Sequence, residues 1–279
     1  MTQRSLLALF AHPDDEAFGM GGALARYSAE GAHVTLVCAT RGEVGEISDP
    51  TLATPETLGE VREAELRCAA AALGIHELIF LDHRDSGMAG TPPNEHPDAF
   101  AQQPAEVVVP TLVGILRRLR PQVVITFDPT GGYGHPDHIA IHTHTVEAFH
   151  AAGDALRYPA QGVAWQPQRL LYSVIPRSVI RAWRDEMAAR GEDTSSFDSP
   201  EGQAMGWPDE DVQLYLDVTA YIPAKWAALT CHRTQFGDDH SFATLPDEEQ
   251  QRGLGREAFV QAWPTLESGG RLIDLFPQP

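Results

Sequence analysis

Two short stretches of this chain concentrate side chains suited to proton and metal chemistry. One is His12-Pro13-Asp14-Asp15-Glu16 and the other is Tyr133-Gly134-His135-Pro136-Asp137-His138. Imidazole together with carboxylate is the donor chemistry of a hydrolytic metal site. His12, Asp15 and His138 make a three-ligand set, which leaves a position open for water as catalytic zinc sites do. An ion there lowers the pKa of that water toward 7 and polarises a bound carbonyl. Adjacent side chains in a turn point in different directions, so of Asp14 and Asp15 one can bind metal while the other faces the water, where a carboxylate is a natural general base. His135 precedes His138 by three residues and reaches the same cleft. Held protonated by Asp137, it stabilises an oxyanion or protonates a leaving amine, with Tyr133 as a second donor.

Plainer roles exist for the same residues. Asp14 or Asp15 could cap the helix that follows. His142, four residues after His138, is a rival ligand on the same helix face, although the glutamate of an HExxH zinc motif is missing. His33, His76, His83, His96, His144, His150 and His240 are expected to be surface or packing residues. Gly19-Met20-Gly21-Gly22 falls too late after the preceding strand for a dinucleotide loop and points to close helix packing.

Both clusters follow apolar runs of the kind that form buried parallel strands. Strands are expected at Ser5–Phe10, His33–Ala39, Leu78–Leu81 and Gln122–Phe127. Helical patterns lie between them at Ala17–Ala29, Glu56–Leu73 and Ala105–Leu119, with Gly74 as a C-cap. A further helix is expected from Asp137 to Ala152, with Pro136 in its first turn. Alternation of this kind predicts an α/β fold: a Rossmann-like, doubly wound, mostly parallel sheet with helices on both faces. Such sheets bind ligands at the carboxyl ends of their strands, where both clusters fall. Beyond residue 160 the pattern loosens, with strands at Leu170–Val174 and Val212–Val218 and helices at Ser178–Arg190 and Pro223–Thr234. Arg190–Trp207 is expected to be a long loop. Residues 1–160 are expected to form the catalytic core. Residues 161–279 would complete the sheet and the pocket within the same domain, as a smaller C-terminal appendage.

The net charge of −19 excludes nucleic acid and anionic membrane as natural partners, because both need basic patches. No apolar run approaches the roughly 20 residues that cross a bilayer. Met1–Ser5 leads directly into a strand with no signal-peptide core, so the cytoplasm is the expected location. Cys38, Cys68 and Cys231 are far apart and odd in number, and are expected to be buried reduced thiols. The oligomeric state is not legible.

On Ala11–Glu16 and Gly131–His138 the chain resembles the metal-dependent LmbE-like, GlcNAc-phosphatidylinositol de-N-acetylase family. The resemblance extends to Thr40–Glu46, Arg84–Thr91 and Lys225–Gln235, and so covers most of the chain. Within the family it is most similar to the mycothiol branch, the GlcNAc-inositol deacetylases and the mycothiol S-conjugate amidases. The bacillithiol-pathway deacetylases are more distant relatives. The resemblance implies His12, Asp15 and His138 as metal ligands, Asp14 as base, and His135, Asp137 and Tyr133 as assistants to the intermediate and the leaving amine. It also implies that Arg62 and Asp85 bind the sugar or polyol, with Glu46 on a substrate-side loop. The structural readings here are an ion pair between Arg62 and Asp85 and a loop-bracing role for Glu43 and Glu46. The implied reaction removes N-acetyl from a GlcNAc conjugate of the GlcNAc-inositol or GlcNAc-malate type. The ion would be zinc, with ferrous iron or cobalt fitting the same donors. The alternatives are a thiol S-conjugate amidase with the same centre, and a sugar- or metal-binding protein without turnover.

Overall fold

The computed structural model describes residues 3–191, 193–236, 253–267 and 269–278. His240 lies outside the described residues. The first half of the chain alternates strand and helix: β1 (Ser5–Phe10), α1 (Asp15–Ala29), β2 (His33–Cys38), α2 (Leu58–Leu73), β3 (Glu77–Phe80), α3 (Ala105–Leu119) and β4 (Val123–Phe127). Then come α4 (Gly131–Gly134), α5 (Pro136–Ala152), β5 (Arg169–Val174), α6 (Arg177–Ala189), α7 (Ser195–Asp198) and α8 (Pro200–Ala204). The last elements are β6 (Leu214–Asp217), α9 (Ile222–Cys231), α10 (Arg233–Phe236) and β7 (Arg256–Trp263).

The strands form one seven-stranded sheet in the order β3-β2-β1-β4-β5-β7-β6. The first five run parallel, and β7 pairs antiparallel with both β5 and β6. β1 shows why helices must cover both faces. Its side chains alternate, so Leu6, Ala8 and Phe10 pack into one core cluster and Leu7 and Leu9 into another. Residues of α1, α2 and α9 fill the first cluster, and residues of α3 and α5 fill the second. Arg117 of α3 is buried and donates to the carbonyls of Ala151, Ala152, Asp154, Arg157, Tyr158 and Gly162. It thereby satisfies the open C-terminal carbonyls of α5 and locks the two helices together.

Three expectations change. Arg190–Trp207 contains the short helices α7 and α8 and is not a plain loop. α1 is kinked at Met20 (φ −152°), which frees the Gly22 and Ala23 amides. Both donate to the buried carboxylate of Glu257 on β7 at 2.8 Å, so the glycine-rich run, besides the close helix packing expected of it (a Cβ on Gly21 would lie 3.2 Å from Lys225 of α9), marks a docking point for the C-terminal strand. The third change concerns the thiols. Cys68 and Cys231 form a disulfide between α2 and the end of α9, and Cys38 alone is a buried free thiol. A separation of 163 residues hides that pairing from any local reading. Among the described residues no helix is long and apolar enough to cross a membrane.

Candidate active site

β1 and β4 are neighbours in the sheet, and the chain leaves them in opposite directions: β1 leads out to β2 and β3, β4 to β5. The crevice above their carboxyl ends is a topological switch point. The loop after β1 carries His12, Asp14 and Asp15, and the loop after β4 carries Tyr133, His135, Asp137 and His138. A cavity of about 470 Å³ opens there, lined by His12, Asp14, Asp15, Glu46, Arg62, Asp85, Tyr133 and His135 among others. Asp137 and His138 lie buried behind it. All ten residues singled out from sequence are thus brought to one place.

The donor set fits a cation. His138 Nδ1 is 3.0 Å from the Gly131 carbonyl, so Nδ1 carries the hydrogen and Nε2 the lone pair. His12 Nε2 faces carboxylate oxygens of Asp137 at 3.2 Å and Asp85 at 3.5 Å, so Nε2 carries its hydrogen and Nδ1 the lone pair. Those two lone pairs face each other at 3.1 Å. Asp15 Oδ1 lies 3.3 Å from His138 Nε2, and its Oδ2 lies 3.8 Å from His12 Nδ1. Ligands about 2.0–2.1 Å from a tetrahedral zinc stand roughly 3.3 Å apart. Without a cation a proton must fill the gap. Burial opposes charging His12, yet its bonds to Asp137 and Asp85 hold its pKa well above the usual value, and that of His138 is driven well below by burial.

Buried side chains within reach of a common ion also include His12 with His135 and His138, and His12 with Asp85 and Asp137. The second grouping uses the Nε2 side of His12, where the two carboxylates serve as hydrogen-bond partners of the ring. In the first, His135 stands where Asp15 is expected. Asp15 is the better third donor, since it adds the negative charge that two imidazoles lack. Its Oδ2 also accepts the Ala11 and His12 amides at 3.1 and 2.8 Å, which aims the carboxylate at the two rings.

Asp14 is held differently. Its backbone sits at φ 111°, ψ −30°, and no side-chain capping bond is present. One carboxylate oxygen accepts from Arg62 Nη2 at 3.1 Å. Arg62 is buried and also donates to Pro13 O at 2.6 Å and Gly42 O at 2.9 Å. Gly42 makes room for it: a Cβ there would fall 2.1 Å from Nη1, at a φ of +64° that a side chain rarely adopts. Burial pushes the Asp14 carboxyl up to about 6, against the pull of Arg62. Asp15 is likewise pushed up to about 6 by burial, with His12 opposing.

Several sequence-derived roles shift. The Asp137 carboxylate faces His12 and accepts from the amide and hydroxyl of Ser86; His135 receives only the Asp137 backbone amide, on Nδ1 at 3.1 Å. His135 is therefore not held protonated. Burial, with His12 and His138 beside it, pushes its pKa down to about 3. Arg62 and Asp85 are not a pair: Asp85 accepts from Gly87 N and Val44 N and lies against His12. Burial works against the Asp85 charge, but those partners keep its pKa well below the usual carboxylate range. Glu43 braces the loop by accepting the Asp85 amide at 3.0 Å, and Glu46 offers its carbonyl to Gln235 at 2.9 Å. His142 stands apart from the donor set, with Nδ1 on Phe127 O at 2.8 Å. Tyr133 is 46% exposed at the cavity mouth, its ring centroid 5.0 Å from that of His138.

Sequence reasoning missed the supports beneath the site. Glu16 pairs with His232 at 2.7 Å, Glu65 accepts from Thr234, and Lys225 pairs with Glu257 at 2.7 Å. All six are buried. A carboxylate inside an otherwise apolar helical stripe, such as Glu65 between Arg62 and Leu66, is the one local signal that could have flagged them.

Comparison with known proteins gives matches over the whole chain. Residues 7–149 match the family described as PIG-L, GlcNAc-PI de-N-acetylase. The chain is 41% identical over 267 residues to the 1D-myo-inositol 2-acetamido-2-deoxy-alpha-D-glucopyranoside deacetylase of Geodermatophilus obscurus, covering 92% of this chain and 91% of that one. It is 40% identical over 294 residues to the protein of the same name from Rhodococcus jostii, covering 99% and 98%. Among solved structures, the N,N'-diacetylchitobiose deacetylase of Pyrococcus horikoshii aligns with a TM-score of 0.66 at 20% identity, over 93% of this chain and 84% of that one. At that identity the likeness is one of fold.

Proposed function

The chain belongs to the PIG-L, GlcNAc-PI de-N-acetylase family, and from that premise we propose that it hydrolyses the N-acetyl group of a GlcNAc conjugate, with GlcNAc-inositol as the substrate. The observation that carries the chemistry is the division of labour between two adjacent aspartates. Asp15 turns to the two imidazoles, and Asp14 turns to the cavity under the control of Arg62. The named activity of the relatives supports the substrate.

We assign His12, Asp15 and His138 as ligands of a divalent ion, zinc by its donor preference, with ferrous iron or cobalt accommodated by the same atoms. When bound, that ion acts as a Lewis acid toward the amide carbonyl and makes water easier to deprotonate. Asp14 takes the proton of the attacking water; at pH 7 a carboxyl near 6 is ionised yet still basic. His135 is neutral, and because Nδ1 accepts the Asp137 amide, its hydrogen sits on Nε2 and faces the cavity. It therefore stabilises the oxyanion as a hydrogen-bond donor. The Tyr133 hydroxyl at the cavity mouth, protonated at neutral pH as a phenol is, is the second donor. The proton that Asp14 took then goes to the departing amine, giving acetate and a free glucosaminide. Glu46 and Gln235 at the rim are placed to meet the sugar or polyol hydroxyls. The acidic surface suits a small neutral substrate and no nucleic acid. We place the reaction in the cytoplasm, with the family's small-molecule substrate in support.

The test feeds metal-defined protein with GlcNAc-inositol, GlcNAc-malate, free GlcNAc and a thiol S-conjugate of acylated cysteinyl glucosamine. Acetate release fastest from GlcNAc-inositol is expected. Cleavage of the S-conjugate alone would replace deacetylation with the amidase reaction. Tight binding without any product would make this a binding protein.

A further inference from the structure

We propose that Glu16 and His232 form a buried positioning pair that holds the backbone of Asp14 in its reactive conformation. Turnover then depends on a contact made from a segment 216 residues away. The inference rests on Asp14 being the base of the reaction proposed above.

Asp14 occupies φ 111°, a strained region that residues with a side chain rarely adopt. Something must hold it there. Its carbonyl accepts from the Ala17 and Phe18 amides, which start α1. Its amide points the other way and donates to Glu16 Oε2 at 3.0 Å. The second oxygen of Glu16 is held by His232 Nε2 at 2.7 Å. Glu16 and His232 are 1% and 0% exposed, and neither lines the cavity. They act on Asp14 from beneath while Arg62 acts on its carboxylate from the side.

Stability alone is a poor reason for such a pair. Buried ion pairs roughly break even against apolar packing. Among the described residues His232 Nδ1 is buried with no hydrogen-bond partner, a further loss of stability. The segment bearing His232 is anchored independently. Thr234 donates its amide and hydroxyl to Glu65 at 2.9 and 2.7 Å, and Cys231 is bonded to Cys68. Glu65 and Cys68 lie on α2, the helix that carries Arg62. The α2 helix thus grips the Asp14 carboxylate directly through Arg62, and the segment tied to α2 after α9 grips its backbone through Glu16 of α1, so their relative placement fixes where the carboxylate points.

The experiment compares Glu16→Ala, Glu16→Gln and His232→Leu in the full metal-loaded chain with GlcNAc-inositol. It reads kcat and KM separately, together with metal stoichiometry, melting temperature and the crystal structure around Asp14. Glu16→Ala is expected to lower kcat by roughly 10–100-fold, the range typical of lost supporting contacts, with KM within about twofold and metal content unchanged. Its Asp14 should leave the positive-φ region. His232→Leu should show the same split. Glu16→Gln should recover most of the loss, since its amide oxygen still accepts the Asp14 amide and its nitrogen can meet the other tautomer of His232. A Glu16→Ala enzyme with wild-type kcat overturns the proposal. So does a loss that follows bound metal or KM, or a Glu16→Gln variant as slow as the alanine. If the variants do not fold, the wild-type chain decides through hydrogen exchange. Slow exchange of the Asp14 amide is expected, and exchange at the rate of an open loop refutes the pair. Asp14→Asn is run alongside: wild-type turnover there would remove Asp14 as base, whereas an inactive Asp14→Asn beside a fully active Glu16→Ala removes only the pair.

Discussion

Replacing Arg62 with methionine separates two roles that its position allows. If Arg62 binds substrate, its loss raises KM at every pH. If it serves Asp14, its loss moves the acid limb of the pH profile. The geometry favours the second: the guanidinium is 4% exposed, with Nη2 3.1 Å from Asp14 Oδ2 and other bonds to Pro13 O and Gly42 O. Asp14 stands at about 6 because burial raises it and Arg62 leads the groups that lower it. An arginine beside a carboxylate is worth about one to three pH units. Removing it places the carboxyl at roughly 7 to 9, so the ionised fraction at pH 7 falls from about 90% to between about 50% and 1%. In Arg62→Met, kcat/KM at pH 7 should therefore drop about 2- to 90-fold and recover as the pH is raised toward 9. A bound cation lowers the limb in both proteins, which shrinks the drop at pH 7 and moves it to lower pH, but the displacement of about one to three units between the two limbs stays and is what the assay reads. The assay is acetate release from pH 5 to 10, at a temperature below the melting point of the variant. Melting must be followed, since two buried carbonyls lose a donor at about 1–3 kcal/mol each. An acid limb at the wild-type pH, with kcat/KM depressed evenly and KM raised, would refute the reasoning and return Arg62 to substrate binding.

Three further outcomes follow from the same geometry. Asp137→Asn weakens the carboxylate that orients His12, and should lower metal affinity by about 10–100-fold in a chelator competition. Reducing the Cys68–Cys231 disulfide opens a loop of 163 residues and should lower stability by roughly 2–5 kcal/mol, read as a lower melting temperature in reductant. In metal-free protein the raised carboxyls of Asp14 and Asp15 favour the folded state only while protonated. That contribution is complete below about 3.8 and is lost as the pH rises through about 6, while the lowered imidazoles of His135 and His138 run the other way, so the carboxyl share is read as a difference: the melting temperature of metal-free wild type relative to metal-free Asp14→Asn should fall from pH 5 to pH 7.

The sheet's parallel half was legible because its strands are buried on both faces and therefore read as continuous apolar runs. Ser5–Phe10 and Ala105–Leu119 match their elements end to end. The two clusters were legible because each follows such a run directly. β7 and β6 were harder to place, since their antiparallel position in the sheet is fixed by contacts far away in sequence, such as the Glu257 carboxylate that meets the kink of α1. The same limit hid the disulfide. Local apolarity suggested buried thiols, but Cys68 lies on the exposed side of α2, where Cys231 at the end of α9 can reach it.

Within the site, the gathering of the donor residues was legible and the way each is held was not, and the distinction is physical. A donor set is specified by residue type at a strand end, which a sequence displays. Orientation is specified by which atom of each group is already occupied, which only the packed structure displays. Asp137 shows the difference most sharply. Beside His135 in sequence, it suggests a carboxylate that keeps the imidazole charged. In space its backbone amide meets His135 while its carboxylate meets His12. That exchange argues for a neutral His135 in place of the charged acid expected, and in the proposed mechanism it leaves the proton of the leaving amine to Asp14. A mechanism in which both proton transfers run through Asp14 therefore places its demand on how firmly Asp14 is held. Arg62, Gly42, Glu16 and His232 meet that demand, none of them a ligand.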